Sequence, residues 1–180
     1  KDFSIVYNAI DTVVFDEIKE NTYEKNNNLI VFVARIDSRK NQINFLKAVY
    51  DTDYEIVFIG NPGPNSKGYL KKLKKISKKR GNVKFVSHIS QEEVFKYMLK
   101  AKASVLTSWI ETPGLVSLEA AYANCNLIIS NKGSVKEYFK DYAFYCSPDN
   151  QNEIRKATID AMNSNFNSSF LKIINTQFSW

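Results

Sequence analysis

The chain is poor in the residues that build covalent and metal frameworks. Its 180 residues include two cysteines, Cys125 and Cys146, and one histidine, His88. The cysteines lie far apart, form no Cys-x-x-Cys pair and have no metal-ligand spacing to the histidine. They read as two reduced thiols near the core of an intracellular protein. No apolar run approaches the roughly 20 residues that span a bilayer. No Gly-x-Gly-x-x-Gly follows the first strand-like run, which leaves a dinucleotide oxidoreductase as a poor reading. Asp-x-Asp pairs able to chelate a divalent ion on a diphosphate are not convincing either: Asp51-Thr-Asp53 precedes a strand, where a turn is the simpler account. Metal-independent chemistry is expected. There is no signal-peptide pattern, and Lys1 to Tyr7 reads as a strand, as if cut from a longer chain.

What remains is ample for one α/β domain with a full core. Hydrophobic residues make up 44% and charged residues 24%, the balance of a globular protein. The net charge of +6 is local, because Lys67, Lys71, Lys72, Lys74, Lys75, Lys78, Lys79 and Arg80 contribute eight cations with no acid between them. The rest of the chain is slightly acidic. Leu70, Leu73 and Ile76 recur at intervals of three within that segment, one narrow apolar stripe on a basic helix. Such a helix is either a solvated face or a contact for anionic lipid headgroups. RNA is a weaker partner, because only Tyr69 interleaves with the lysines, and no nucleic acid is expected.

Strand-like and helix-like segments alternate. Leu29 to Ala34 is an unbroken apolar run, as a strand covered on both faces requires. Asn41 to Tyr50 reads as a helix and Tyr54 to Gly60 as a second strand, ending in a Pro/Gly loop through Asn65. The lysine-rich helix follows, then a short strand over Val83 to Val86. Ser90 caps a helix with early acids that runs to about Lys100. Ala103 to Leu106, Asn126 to Ser130 and Ala143 to Cys146 read as further strands, with helices after Pro113 or Gly114, over Ser134 to Phe139, and from Asn150 onward with a break near Asn163 to Asn167. The triplet Asn26-Asn27-Asn28 is the one low-complexity spot. This alternation predicts a doubly wound, Rossmann-like parallel sheet of about six strands in a single domain over 1–180, with ligands at the carboxyl ends of the strands.

Glu111 and Glu119 are separated by seven residues at one such strand end. A helix beginning near Pro113 or Gly114 leaves one acid in the loop and the other inside the helix. The N–H groups of Gly114, Leu115 and Val116 stay free between them and favour an anion, most often phosphate. Carboxylates on either side of a phosphate suit hydroxyl groups, so the pattern fits a sugar nucleotide. Arg35 and Lys40 leave an earlier strand toward a helix, where they serve equally well as diphosphate partners or as surface cations. Arg39 between them is also eligible.

Six segments in this order resemble the glycosyltransferase group 1, GT4-type, retaining transferases. Val6-Tyr-Asn-Ala-Ile-Asp-Thr-Val-Val-Phe resembles P-N-G-V-D-x-x-x-F, and Phe32-Val-Ala-Arg-Ile-Asp-Ser-Arg-Lys-Asn resembles V-G-R-L-x-x-x-K-G. Ile59-Gly-Asn-Pro-Gly-Pro resembles V-G-x-G-P, and Glu111 through Glu119 resembles E-x-F-G-L-x-x-L-E. Asn131 to Glu137 resembles a loop ending in G-x-x-E, and Phe178-Ser-Trp180 resembles F-S-W. The departures are Ala9, Ala34 and Asn41 in place of glycines, Pro113 in place of Phe, and Asn124 and Asn126 in place of Gly and Pro.

The resemblance implies the C-terminal, donor-binding half of a GT-B architecture. Glu111 would contact hydroxyls of the transferred sugar. Glu119 would accept from the nucleotide ribose. Arg35 and Lys40 would stabilise the departing diphosphate. Gly60 and the N–H groups of Gly114, Leu115 and Val116 would lie at the donor, and Ser87-His88-Ile89 beside the base. His88 reads as a packing or backbone-contact residue rather than an acid or base. The carboxylates are then hydroxyl ligands, unlike the acid/base or nucleophile pair of a glycoside hydrolase. No cofactor is implied. The donor would be a nucleotide diphosphate-sugar and the acceptor a saccharide or lipid-linked glycan, at the cytoplasmic face of a membrane. The acceptor half would precede Lys1, so the chain alone is expected to bind donor without transferring sugar. Two other functions fit the same residues: a sugar-nucleotide epimerase, separable by incubation with donor alone, and a non-catalytic nucleotide-binding or membrane-contact module.

Overall fold

The computed structural model describes residues 6–180. The element order is α1 (Thr12–Lys19), β1 (Asn26–Val33), α2 (Gln42–Ala48), β2 (Glu55–Ile59), α3 (Lys67–Arg80), β3 (Val83–Val86), α4 (Gln91–Lys100), β4 (Ala101–Leu106), α5 (Leu115–Tyr122), β5 (Asn126–Ser130), α6 (Val135–Phe139), β6 (Ala143–Cys146), α7 (Gln151–Asn163) and α8 (Ser169–Gln177). The six strands are parallel, in the order β3-β2-β1-β4-β5-β6. The sequence of strands reverses between β1 and β4, which opens a crevice at their carboxyl ends.

Both faces of the sheet are covered, and this is why β1 reads as an unbroken apolar run. Leu29 and Val31 face one core cluster, while Ile30 and Phe32 face the other. Residues of α1, α4, α5, α6 and α8 build the first cluster, and those of α2, α3 and α7 the second. Burying each such side chain contributes about 1.5–3 kcal/mol. Cys125 and Cys146 are both buried and free, as the composition implied.

Some boundaries depart from the sequence reading. β1 begins at Asn26, so the asparagine triplet opens the strand ahead of the apolar run that starts at Leu29. Asn26 pairs with Ala101 of β4, and its Oδ1 accepts from the N–H of Asn28 at 2.9 Å. α1 was not anticipated. Asp11 caps it, its Oδ1 accepting from Val13 N at 3.1 Å and Val14 N at 3.3 Å, and Phe15 stacks on Phe95 of α4. The strand expected over Lys1 to Tyr7 falls largely outside the described residues, and Val6 and Tyr7 are irregular. The two ends of the described chain meet: Ile10 N donates to Phe178 O at 2.8 Å and Trp180 N to Ile10 O at 3.1 Å.

Candidate active site

The loop after β1 is organised by Asp37, a residue the sequence reading passed over. Asp37 is 5% exposed, and its Oδ1 accepts from the backbone N–H of Arg39 at 3.0 Å and of Lys40 at 3.2 Å. An aspartate that bonds N–H groups two and three residues on is the signature of a local turn, and that was the available signal. The turn aims Lys40 across the crevice. Asn41 follows with a left-handed backbone, φ 66°, and its Nδ2 donates to Pro148 O at 2.6 Å. A glycine would adopt this conformation freely, and asparagine tolerates it better than most residues.

The loop after β4 carries Glu111 and is clamped from two sides. Trp109 N donates to Arg39 O at 2.9 Å, joining it to the β1 loop. Glu111 forms a parallel bridge with Gly133 after β5, and Ser134 N donates to Glu111 O at 3.2 Å. Gly133 has φ 91°, and a Cβ there would lie 2.0 Å from Glu111 O. Only a glycine permits that approach.

Lys40 and Glu111 meet directly. Lys40 Nζ lies 2.7 Å from Glu111 Oε2, and the two side chains are 22% and 14% exposed. Gly114, at φ 83°, caps α5 beneath the Glu111 side chain. Among the described residues, no backbone or side-chain acceptor takes the N–H groups of Gly114, Leu115 and Val116. Pro113 does not open the helix as its sequence position implied. It lies before Gly114 and lines a cleft of about 360 Å³ with Tyr7, Thr112, Ser134 and Tyr138.

Glu119 faces the neighbouring helix. Its Oε1 accepts from Gln91 Nε2 at 2.9 Å, and burial raises its carboxyl above the ordinary value of 4.5. Gln91 follows the loop of Ser87, His88 and Ile89, so that loop and Glu119 lie on adjoining elements. His88 is exposed with a left-handed backbone, φ 56°, which sets aside packing and leaves the backbone-contact reading; Ile89 is half-buried. Arg35 is not drawn to Lys40 or Glu111. It is half exposed, with Nε 3.9 Å from Asp37 Oδ2. Gly60 serves the backbone itself: a Cβ there would lie 2.1 Å from Ala34 O, and its N–H donates to Val86 O at 2.9 Å. Among the described residues, no three His, Cys, Asp or Glu side chains cluster as metal ligands. Asp51 instead pairs with Arg155.

Residues 14–175 match the family described as glycosyl transferases group 1. The chain belongs to this family. As a group 1 glycosyltransferase chain it is 30% identical, over 157 residues, to the capsular polysaccharide biosynthesis glycosyltransferase CapH of Staphylococcus aureus, an alignment covering 80% of this chain and 41% of CapH. It is also 30% identical over 133 residues to a GalNAc-alpha-(1->4)-GalNAc-alpha-(1->3)-diNAcBac-PP-undecaprenol alpha-1,4-N-acetyl-D-galactosaminyltransferase of Campylobacter jejuni, covering 70% of this chain and 35% of that one. The chain thus spans well under half the length of these relatives. Its fold is that of Anabaena Alr3699/HepE, solved in complex with UDP and glucose, with a TM-score of 0.82, 16% identity and coverage of 98% of this chain and 53% of the other. The six-stranded sheet is therefore a GT-B glycosyltransferase domain.

Proposed function

We propose that this domain binds a nucleotide diphosphate-sugar at the β1–β4 crevice for retaining transfer to a saccharide or lipid-linked glycan. The observation that carries it is the pairing of Lys40 with Glu111 beside the free N–H groups of Gly114, Leu115 and Val116. In this reading the diphosphate takes Lys40, Arg35 and the helix N-terminus, and negative charge building on the leaving phosphate is met there without a metal ion. Glu111 accepts from sugar hydroxyls and Glu119 from the ribose. The exposed His88 and half-buried Ile89 border the base. HepE complexes with UDP and UDP-glucose make uridine the first base to test. The undecaprenol-linked glycan in the name of the Campylobacter relative supports a lipid-linked acceptor. In this reading the domain supplies the donor site, and transfer is an activity of proteins of the relatives' full length.

Calorimetric titration of UDP, GDP and ADP checks this directly. One nucleotide should bind, and Arg35→Ala or Glu119→Ala should each weaken it about tenfold, the size of one charge-assisted hydrogen bond. Absence of binding to all three, and to UDP-glucose, GDP-mannose and ADP-glucose as well, would refute the donor site.

The same proposal places the protein at the inner face of a membrane, supported by α3. Leu73 is fully buried and Leu70 and Ile76 pack on the second core cluster, so the apolar stripe is spent inside. Arg80 is also spent, donating to the carbonyls of Val49, Thr52 and Tyr54. The seven lysines of α3 are exposed, and among the described residues none pairs with an acid. Contact would be electrostatic and salt-sensitive, without insertion. Replacing Lys71, Lys72, Lys74 and Lys75 by Gln should abolish flotation with phosphatidylglycerol vesicles; unchanged flotation removes this part.

A further inference from the structure

We propose that the Lys40–Glu111 pair is a latch that makes the site prefer a sugar-loaded nucleotide over the bare nucleotide. The inference rests on the donor-site reading and adds a consequence to it.

Both partners are held in place. Lys40 leaves a turn fixed by the buried Asp37, whose Oδ1 accepts from Lys40 N at 3.2 Å. The Glu111 backbone is pressed against Gly133 with no room for a Cβ, and its side chain lies over Gly114. At 2.7 Å, with side chains 22% and 14% exposed, the pair is short and mostly shielded from water. Shielded partners depend on each other. Removing one leaves the other a poorly solvated charge, which is the costly state of a buried pair.

A diphosphate that takes Lys40 creates that state. Glu111 is left with little water and with added negative charge nearby. An intact donor offsets the cost, because the hydroxyls of its sugar donate to the carboxylate as Lys40 leaves it. A bare nucleoside diphosphate has no such hydroxyls in that place. It binds only the fraction of molecules in which the pair is open, and its apparent affinity falls by that fraction. A polar site built to be satisfied by hydroxyls discriminates strongly against a ligand that lacks them. The pair therefore admits donor and speeds release of the spent nucleotide, while resetting the site as the nucleotide leaves.

The test is calorimetry on the chain with UDP and UDP-glucose, GDP and GDP-mannose, and ADP and ADP-glucose. The pair of ligands that the unmodified chain binds is then titrated into Glu111→Gln, Lys40→Met and the double variant. The unmodified chain should favour the sugar form. Glu111→Gln should bind the bare diphosphate about tenfold tighter and lose the preference, and in the Lys40→Met background the tightening by Glu111→Gln should be much smaller. If Glu111→Gln leaves the bare diphosphate unchanged or weaker, the latch is wrong and the donor site stands. If Glu111→Gln tightens it equally without Lys40, the effect is plain repulsion of phosphate and the latch is again wrong. Failure of the unmodified chain to bind any of the six ligands would remove both the latch and the reading beneath it.

Discussion

Each end of the sheet holds a lysine shielded from water, and the two ends use it in opposite ways. At the amino end, Lys25 Nζ donates to Ala101 O at 2.7 Å, Ala123 O at 2.8 Å and Met98 O at 3.3 Å. It ties the end of α5 to the junction of α4 and β4, satisfying carbonyls that a helix end leaves open. Burial pushes its ammonium below the ordinary range. Asn126 does similar work nearby, donating to Ala161 O at 2.7 Å and Ser164 O at 2.8 Å. At the carboxyl end, Lys40 has one carboxylate partner. Gln42 Oε1, Thr107 Oγ1, Ser108 Oγ and Asn131 Oδ1 are buried there without a hydrogen-bond partner. Leaving such atoms unsatisfied costs about 1–3 kcal/mol each. Among the described residues, all the unpartnered buried side-chain atoms lie at the end where a ligand would come. The amino end is closed for stability, and the carboxyl end is left incomplete.

The largest effect that would sharpen this contrast is Gly133→Ala. The new methyl would meet backbone, so the Glu111 loop must shift, and stability should fall by about 3 kcal/mol. In a chain of this size that lowers the melting temperature by roughly 6–12 °C. A melting temperature within a degree of the unmodified chain would show that the clamp on Glu111 is loose.

Next in size is a matched pair. Lys25→Met should cost about 1–3 kcal/mol through its stranded carbonyls and leave nucleotide affinity unchanged. Lys40→Met should weaken nucleotide binding about tenfold or more, on top of the stability lost by stranding the Glu111 carboxylate. Melts and titrations of both variants break the comparison if the two lysines give the same profile.

The smallest effect concerns Glu119. Burial raises its carboxyl above 4.5 in the folded chain. The folded state then favours the protonated form, so this group's contribution to stability is complete below about 4.5 and is lost as pH rises through the raised value. Glu119→Gln should match the unmodified chain near pH 4 and exceed it at neutral pH, by less than about 1 kcal/mol. A difference that stays constant across pH 4–8 in thermal melts would show that the carboxyl bears no such cost.

Much of the fold was legible because it rests on local pattern. β3, β5 and β6 begin and end where their apolar runs do, and Ser90 caps α4 with its Oγ accepting from Glu93 N at 3.2 Å. α1 escaped because it opens on the short β-branched run Thr12-Val13-Val14, and its buried face, Phe15 and Ile18, is completed only by packing on α4. The substituted glycines became intelligible only in three dimensions. Asn41 and Asn124 hold φ of 66° and 60°, the left-handed region where asparagine is the nearest substitute for glycine. At the site, Lys40, Glu111, Glu119 and the start of α5 were readable from charge and spacing. Asp37 and Gly133, which position them, act through backbone contacts and leave only faint traces in the sequence.

The sequence by itself determined the alternation of strands and helices, the double coverage of the sheet and the identity of the charges at the strand ends. Each depends on the period of neighbouring residues. Tertiary structure decided which charges meet. Lys40 and Glu111 lie 71 residues apart and touch because β1 and β4 became neighbours when the strand order reversed. Arg35, five residues from Lys40 in the chain, turns toward Asp37 instead. Ion pairing is set by distance and shielding after the sheet has assembled, and no local pattern encodes either.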